Sequence, residues 1–90
     1  MISQQELQMI DNQYFNVIQK SCFIISLQSK NTKHYWNIVE EEFPHFRHFK
    51  VYHKHNQSDE FHRHRDRGNL SLALQDIIDH DIFQMNVRNK

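Results

Sequence analysis

The residues best suited to chemistry in this sequence are two short histidine motifs. Residues 52–55 (Tyr-His-Lys-His) are echoed by residues 61–64 (Phe-His-Arg-His), so an aromatic-His-basic-His pattern occurs twice. Side chains two apart on a β-strand share a face. If the motifs form neighbouring strands of a hairpin, four imidazoles converge when the strands pair with His55 opposite His62 and His53 opposite His64.

Two interpretations of this hairpin remain open. Imidazole is a common ligand of zinc and other borderline metals, and facing Cβ atoms about 5 Å apart suit one ion. The candidate ligands are then His53, His55, His62 and His64. In the other interpretation the hairpin is exposed and its histidines only form hydrogen bonds, and a one-residue slip in register would disperse the four side chains. We expect no cofactor, with zinc as the alternative.

A nuclease is the enzymatic alternative. A hairpin histidine followed by an asparagine and a helical histidine resembles the HNH or ββα-metal nucleases, and the candidates are His55, Asn69 and His80. However, His80 follows Asn69 by eleven residues, about two too many for that motif. Two extra residues turn a helical side chain by about 200°. The single glycine also excludes a glycine-rich phosphate loop. We therefore expect no enzyme, with an HNH-like nuclease as the alternative.

Basic and aromatic residues are interleaved around the same hairpin. Residues 45–67 contain six Lys or Arg, three acidic residues and six His. Lys and Arg neutralise phosphates, while aromatic and guanidinium planes stack on bases. The net charge is zero, whereas dedicated nucleic-acid binders are usually basic. The surface therefore predicts contact with either nucleic acid or a protein, through Arg47, Lys50, Tyr52, Lys54, Arg63, Arg65 and Arg67.

Size and composition indicate one small cytoplasmic domain. Ninety residues suit a single domain spanning residues 1–90. The only cysteine, Cys22, excludes an internal disulfide and favours a reducing compartment. Residues 1–11 are polar and lack the apolar core of a signal peptide, and the longest apolar run is too short to span a membrane.

Hydrophobic periodicity predicts an α+β fold with a meander of four to five antiparallel strands. Ser3 and Glu6 match a capping box that begins a short helix over residues 3–11. Leu74 and Ile77 belong to the buried stripe of a second helix over residues 71–80, which we expect on one face of the sheet. A short extended tail follows His80. The predicted strands are 14–20, 22–27, 35–39, 48–55 and 61–65, and the acidic residues 40–42 with Pro44 end the third.

Three segments resemble a group of short accessory proteins carried by phages and conjugative elements of Gram-positive bacteria. They are residues 29–36 (Ser-Lys-Asn-Thr-Lys-His-Tyr-Trp), 52–55 and 80–84 (His-Asp-Ile-Phe-Gln). The likeness covers most of residues 14–85 and assigns no residue a role. What it implies is context, because accessory proteins of mobile elements often inhibit or redirect host DNA-handling machinery, as anti-CRISPR proteins do. We therefore expect a non-enzymatic module that binds a host nucleic-acid-handling protein or nucleic acid.

Overall fold

A five-stranded antiparallel meander forms the centre of the fold in the computed structural model, which describes residues 1–43 and 46–88. Each strand pairs with the next along the chain, so the order in the sheet is the order in the sequence. The predicted α+β class and meander are therefore confirmed. The strands are β1 (Phe15–Lys20), β2 (Ile24–Ser29), β3 (Tyr35–Phe43), β4 (Phe46–Lys54) and β5 (His62–Arg67).

Two helices flank the sheet. Helix α1 (Gln4–Leu7) has the predicted capping box, in which Ser3 and Glu6 exchange side chain–backbone hydrogen bonds, although it is shorter than the predicted range 3–11. Helix α2 (Leu70–Arg88) begins after Asn69, whose side chain accepts a 2.8 Å hydrogen bond from the Leu72 N–H group. That bond satisfies one of the free N–H groups of the first turn.

The extended tail predicted after His80 is wrong, because α2 continues through that segment to Arg88. Phe83, Met85 and Val87 alternate with polar residues, which is typical of a half-buried strand. Here they are 61%, 39% and 53% exposed on the helix, so no buried strand face exists for them. An established helix gains one hydrogen bond for each added residue, and that gain favours continuation over a separate extended segment.

The third and fifth strands also extend beyond their predicted ends. The acidic residues 40–42 were expected to end β3, but they pair with β4, where Glu42 lies opposite Arg47 and Glu41 opposite His48. Opposite charges across strands stabilise this pairing, since Glu41 contacts Lys50 and Glu40 pairs with Arg47. Likewise, Asp66 and Arg67 belong to β5 and not to a loop. The predicted strand end at Pro44 lies outside the described residues.

The core lies between α2 and one face of the sheet. Alternate residues of β2 and β4 are buried, as expected for strands with one covered face. Both Leu74 and Ile77 of α2 are buried, as predicted, and Ile77 is fully inaccessible. We call the other side of the sheet the open face. Its residues are half-buried or exposed and include Ser26, Tyr35, Asn37, Lys50, Tyr52, Lys54 and Arg63.

Candidate functional site

The register of β4 and β5 differs from the predicted one by two residues. His53 pairs with His62, and a bulge between Val51 and Tyr52 leaves His64 as an extra residue on β5. The expected pairing of His55 with His62 is therefore wrong, and His55 lies beyond the end of β4. A shift of two residues preserves which side chains share a face, so His53 and His62 still point to the side covered by α2.

Six histidines nevertheless converge at this end of the sheet, and we call them the histidine cluster. His53 lies at the centre, with its ring centroid 5.0 Å from that of His34 and 4.9 Å from that of His80. It also stacks on Trp36 at 4.1 Å. The remaining members surround His53 at centroid distances of 4.9, 5.3 and 6.0 Å, and they are His55, His62 and His64 respectively.

Three of the six bring ring nitrogens close together. The nearest ligand atoms of His34, His53 and His80 all lie within 4.8 Å of one another, and no other such group occurs among the described residues. His53 Nε2 and His34 Nδ1 are 3.0 Å apart and form a buried hydrogen bond. Of the four predicted ligands, only His53 belongs to this set.

The sequence contained signals for the two ligands that the metal prediction missed. His34 directly precedes β3 and is two residues before Trp36, so the extended chain places both on the buried side of the sheet. His80 is three residues after Ile77, which continues the buried stripe of α2. Sequence reasoning had instead assigned His80 to the nuclease motif. Asn69 caps α2 and lies about 16 Å along the helix axis from His80 at 1.5 Å per residue.

Burial disfavours the charged form of three imidazoles of the cluster, those of His53, His64 and His80. It lowers the pKa of His53 to about 3, and the neighbouring His80 and His34 rings further disfavour a positive charge. Burial also lowers the pKa of both His64 and His80. A neutral imidazole carries a free nitrogen lone pair. The buried Nε2 atom of His80 has no hydrogen-bond partner among the described residues.

A buried carboxylate holds two parts of the cluster in place. Asp81 is fully buried and accepts hydrogen bonds from the Tyr14 hydroxyl at 2.8 Å and the Thr32 hydroxyl at 2.9 Å. Thr32 Oγ1 in turn accepts the N–H group of His34 at 3.2 Å. The intervening Lys33 has a φ of 65°, in the left-handed region that is uncommon for residues other than glycine. The Asp81 network thus connects the helix of His80 to the turn of His34.

The seven predicted contact residues are divided between the two faces of the sheet. Lys50, Tyr52, Lys54 and Arg63 lie on the open face, where Tyr52 pairs with Arg63. The remaining three, Arg47, Arg65 and Arg67, lie on the face that α2 covers and contact Glu40 or Asp76. The seven residues that the sequence predicted as one contact surface therefore cannot all bind the same flat partner.

Most of these cations already have a carboxylate partner in the chain. Arg47 pairs with both Glu6 at 3.1 Å and Glu40. Lys50 contacts Glu41 at 2.9 Å, and Arg63 pairs with Asp66. Asp76 accepts hydrogen bonds from Arg67, at 2.9 Å for one of them, and lies 3.6 Å from Arg65. Far fewer basic side chains are therefore available to neutralise phosphates than the number of Lys and Arg residues indicates.

Lys54 is the exception within this set. Among the described residues it has no carboxylate partner, and its Nζ atom donates to the Gln57 carbonyl at 2.9 Å. The ammonium also lies 4.5 Å from the ring centroid of Phe61 and 5.4 Å from that of Tyr35. These residues border a shallow depression of about 230 Å³ on the open face, which Ile18 and Asn37 also line.

No protein-family model, curated protein or solved structure matches this chain. Among the described residues, no helix is long and apolar enough to cross a membrane.

Proposed function

We propose that this protein is a non-enzymatic binding module whose open face docks on a partner protein. The core lies on the other side of the sheet, so Tyr35, Tyr52 and Phe61 remain half-buried. Large aromatic side chains that are already partly immobilised are typical anchors of protein interfaces. The depression beside Lys54 offers such an interface a concave contact.

The observation that favours a protein over nucleic acid is the pairing of the basic side chains. Binding to nucleic acid draws its affinity from cations that neutralise phosphates. On the open face Lys50 and Arg63 are paired with Glu41 and Asp66, so a phosphate would have to compete with a carboxylate at each of them. A mixed surface of aromatic rings and paired charges suits a protein partner, which presents both signs of charge.

The resemblance to accessory proteins of mobile elements supports a host protein that handles nucleic acid as the partner. An inhibitor of anti-CRISPR type acts by occupying a surface of such a protein and needs no active site of its own. The neutral net charge agrees with this mode of action, because strong single-sign charge promotes non-specific binding to nucleic acid.

The test is a binding assay with two matched variants. Tyr52→Ala/Lys54→Ala alters the open face, whereas Phe83→Ala removes an exposed aromatic ring from α2. Tagged wild type and variants are incubated with a nuclease-treated bacterial lysate, and retained proteins are identified by mass spectrometry. The proposal requires a nuclease-resistant partner that the open-face variant loses by at least about tenfold and the Phe83 variant retains.

Two results would reject the proposal. If the open-face variant retains every partner, docking does not use this surface. If only nucleic acid is recovered, and binding to labelled oligonucleotides weakens steeply with salt, the surface binds nucleic acid directly. Each Arg→Ala change would then lower the salt slope by about one for each lost phosphate contact.

A further inference from the structure

We propose that His34, His53 and His80 bind one divalent transition-metal ion of zinc type at the end of the core. This site is independent of the open face, because it lies on the other side of the sheet, between the sheet and α2. The three ligands come from the turn before β3, from β4 and from α2. A bound ion would therefore cross-link elements that are distant in the sequence.

The separation of the nitrogens suits such an ion. Two nitrogens bound to one tetrahedral zinc, with Zn–N bonds of about 2.0–2.1 Å, are roughly 3.3 Å apart. His53 Nε2 and His34 Nδ1 are 3.0 Å apart, and one ring nitrogen of each of His34, His53 and His80 lies within 4.8 Å of the others. Binding of one ion by all three then requires the rings to rotate until their nitrogens reach it.

A purely structural role accounts for only part of this arrangement. Stacking on Trp36 and the hydrogen bond to His34 explain why His53 is buried. They leave the buried His80 Nε2 without a partner among the described residues, and an unsatisfied buried polar atom costs free energy. A metal ion gives the three imidazoles one common partner. A neutral imidazole is the form that coordinates a metal.

The donor set selects the class of metal. Three imidazoles suit zinc, nickel or copper, whereas magnesium and calcium require oxygen ligands. Asp81, which follows His80 directly in sequence, is engaged by Tyr14 and Thr32. It therefore acts as a positioning residue that orients the turn of His34 and the helix of His80. Three protein ligands leave one tetrahedral position for solvent or for His55, whose ring stacks on His34 at 4.2 Å.

The experiment uses the full chain after treatment with a chelator. Zinc is titrated by calorimetry, and Co²⁺ is added separately because its visible absorption reports tetrahedral coordination. The variants are His34→Gln and His80→Gln. The matched control is His62→Gln, which removes an exposed imidazole of the same histidine cluster. We expect one ion per chain in the wild type, an affinity loss of at least about tenfold in the two ligand variants, and a change of less than threefold in the control. Asp81→Asn should weaken binding about 10–100-fold, as is usual when the support of a ligand is lost.

The wild type also provides a test that does not depend on how the variants fold. Zinc should shift the imidazole nitrogen resonances of His34, His53 and His80 together in NMR spectra, and it should raise Tm. Absence of stoichiometric zinc in the wild type would overturn the proposal. The proposal would also be overturned if His62→Gln or His64→Gln abolished zinc binding while His80→Gln retained it. The ligands would then lie on the β4–β5 hairpin. A failed partner assay on the open face leaves this result unaffected.

Discussion

Asp81 on α2 accepts a 2.9 Å hydrogen bond from the hydroxyl of Thr32, a residue 49 positions earlier in the turn between β2 and β3. The same carboxylate accepts the Tyr14 hydroxyl immediately before β1. One buried charge thus joins three separate parts of the chain, and its hydrogen bonds compensate for its removal from water. These hydrogen bonds connect α2 to the turn that carries His34.

Asp81→Asn should therefore lower the free energy of unfolding by about 1–3 kcal/mol, because the amide presents one acceptor oxygen where two are needed. The measurement is urea denaturation of metal-free protein. The matched control is Asp79→Asn, an exposed carboxylate that accepts a hydrogen bond from Gln75 on the same helix. An equal effect of both variants would contradict the role assigned to Asp81.

Ile77→Ala should cost about 2–5 kcal/mol, since Ile77 is fully buried between α2 and the sheet and its truncation leaves a cavity. Leu72→Ala is the control on the same helix, because Leu72 is 43% exposed and should change stability by less than about 0.5 kcal/mol. Both values come from the same urea titration. A cost below half a kilocalorie for Ile77→Ala would contradict the packing of α2.

Asp76 should make the protein sensitive to acid. The hydrogen bonds from Arg67 lower the pKa of Asp76, and the charges of Arg67 and Arg65 act in the same direction. Because the carboxyl binds its proton more weakly in the folded state, its contribution is fully present above the unfolded pKa of about 3.9 and is lost as pH falls further. The loss of stability between pH 5 and pH 2.5 should be larger in the wild type than in Asp76→Asn. Parallel losses in the two proteins would rule out this contribution.

Arg47 should behave as a structural residue. Its guanidinium pairs with Glu40, whose side chain is fully buried, and lies 4.9 Å from the Phe49 ring centroid. Arg47→Met leaves a buried carboxylate without this partner and should cost about 2 kcal/mol. The double variant Arg47→Met/Glu40→Gln should recover part of that loss in thermal melts. No recovery would show that the cost comes from lost packing and not from the unpaired charge.

Local patterns in the sequence predicted the elements but not the lengths of several of them. The capping box at Ser3 and the buried stripe of Leu74 and Ile77 depend on neighbours within one or two turns, so both were confirmed. The predicted extended tail was wrong. Apolar and polar residues alternate in residues 83–87, but such a segment forms a strand only where the edge of a sheet can pair with it. The end of β3 was misplaced because the acidic run at 40–42 is stabilised by charges on β4, which a single strand does not reveal.

For the candidate sites, the sequence by itself determined which residue types are present: an excess of histidine around one hairpin, with aromatic and basic residues interleaved. Tertiary structure decided which of them meet. A bulge at His64 set the register of β5, and the docking of α2 brought His80 to His53 and His34 across distant parts of the chain. The same packing paired Arg65 and Arg67 with Asp76. Such contacts join residues far apart in sequence and form only when the whole core closes, so local spacing can place a residue on the buried side but does not show which residues it meets there.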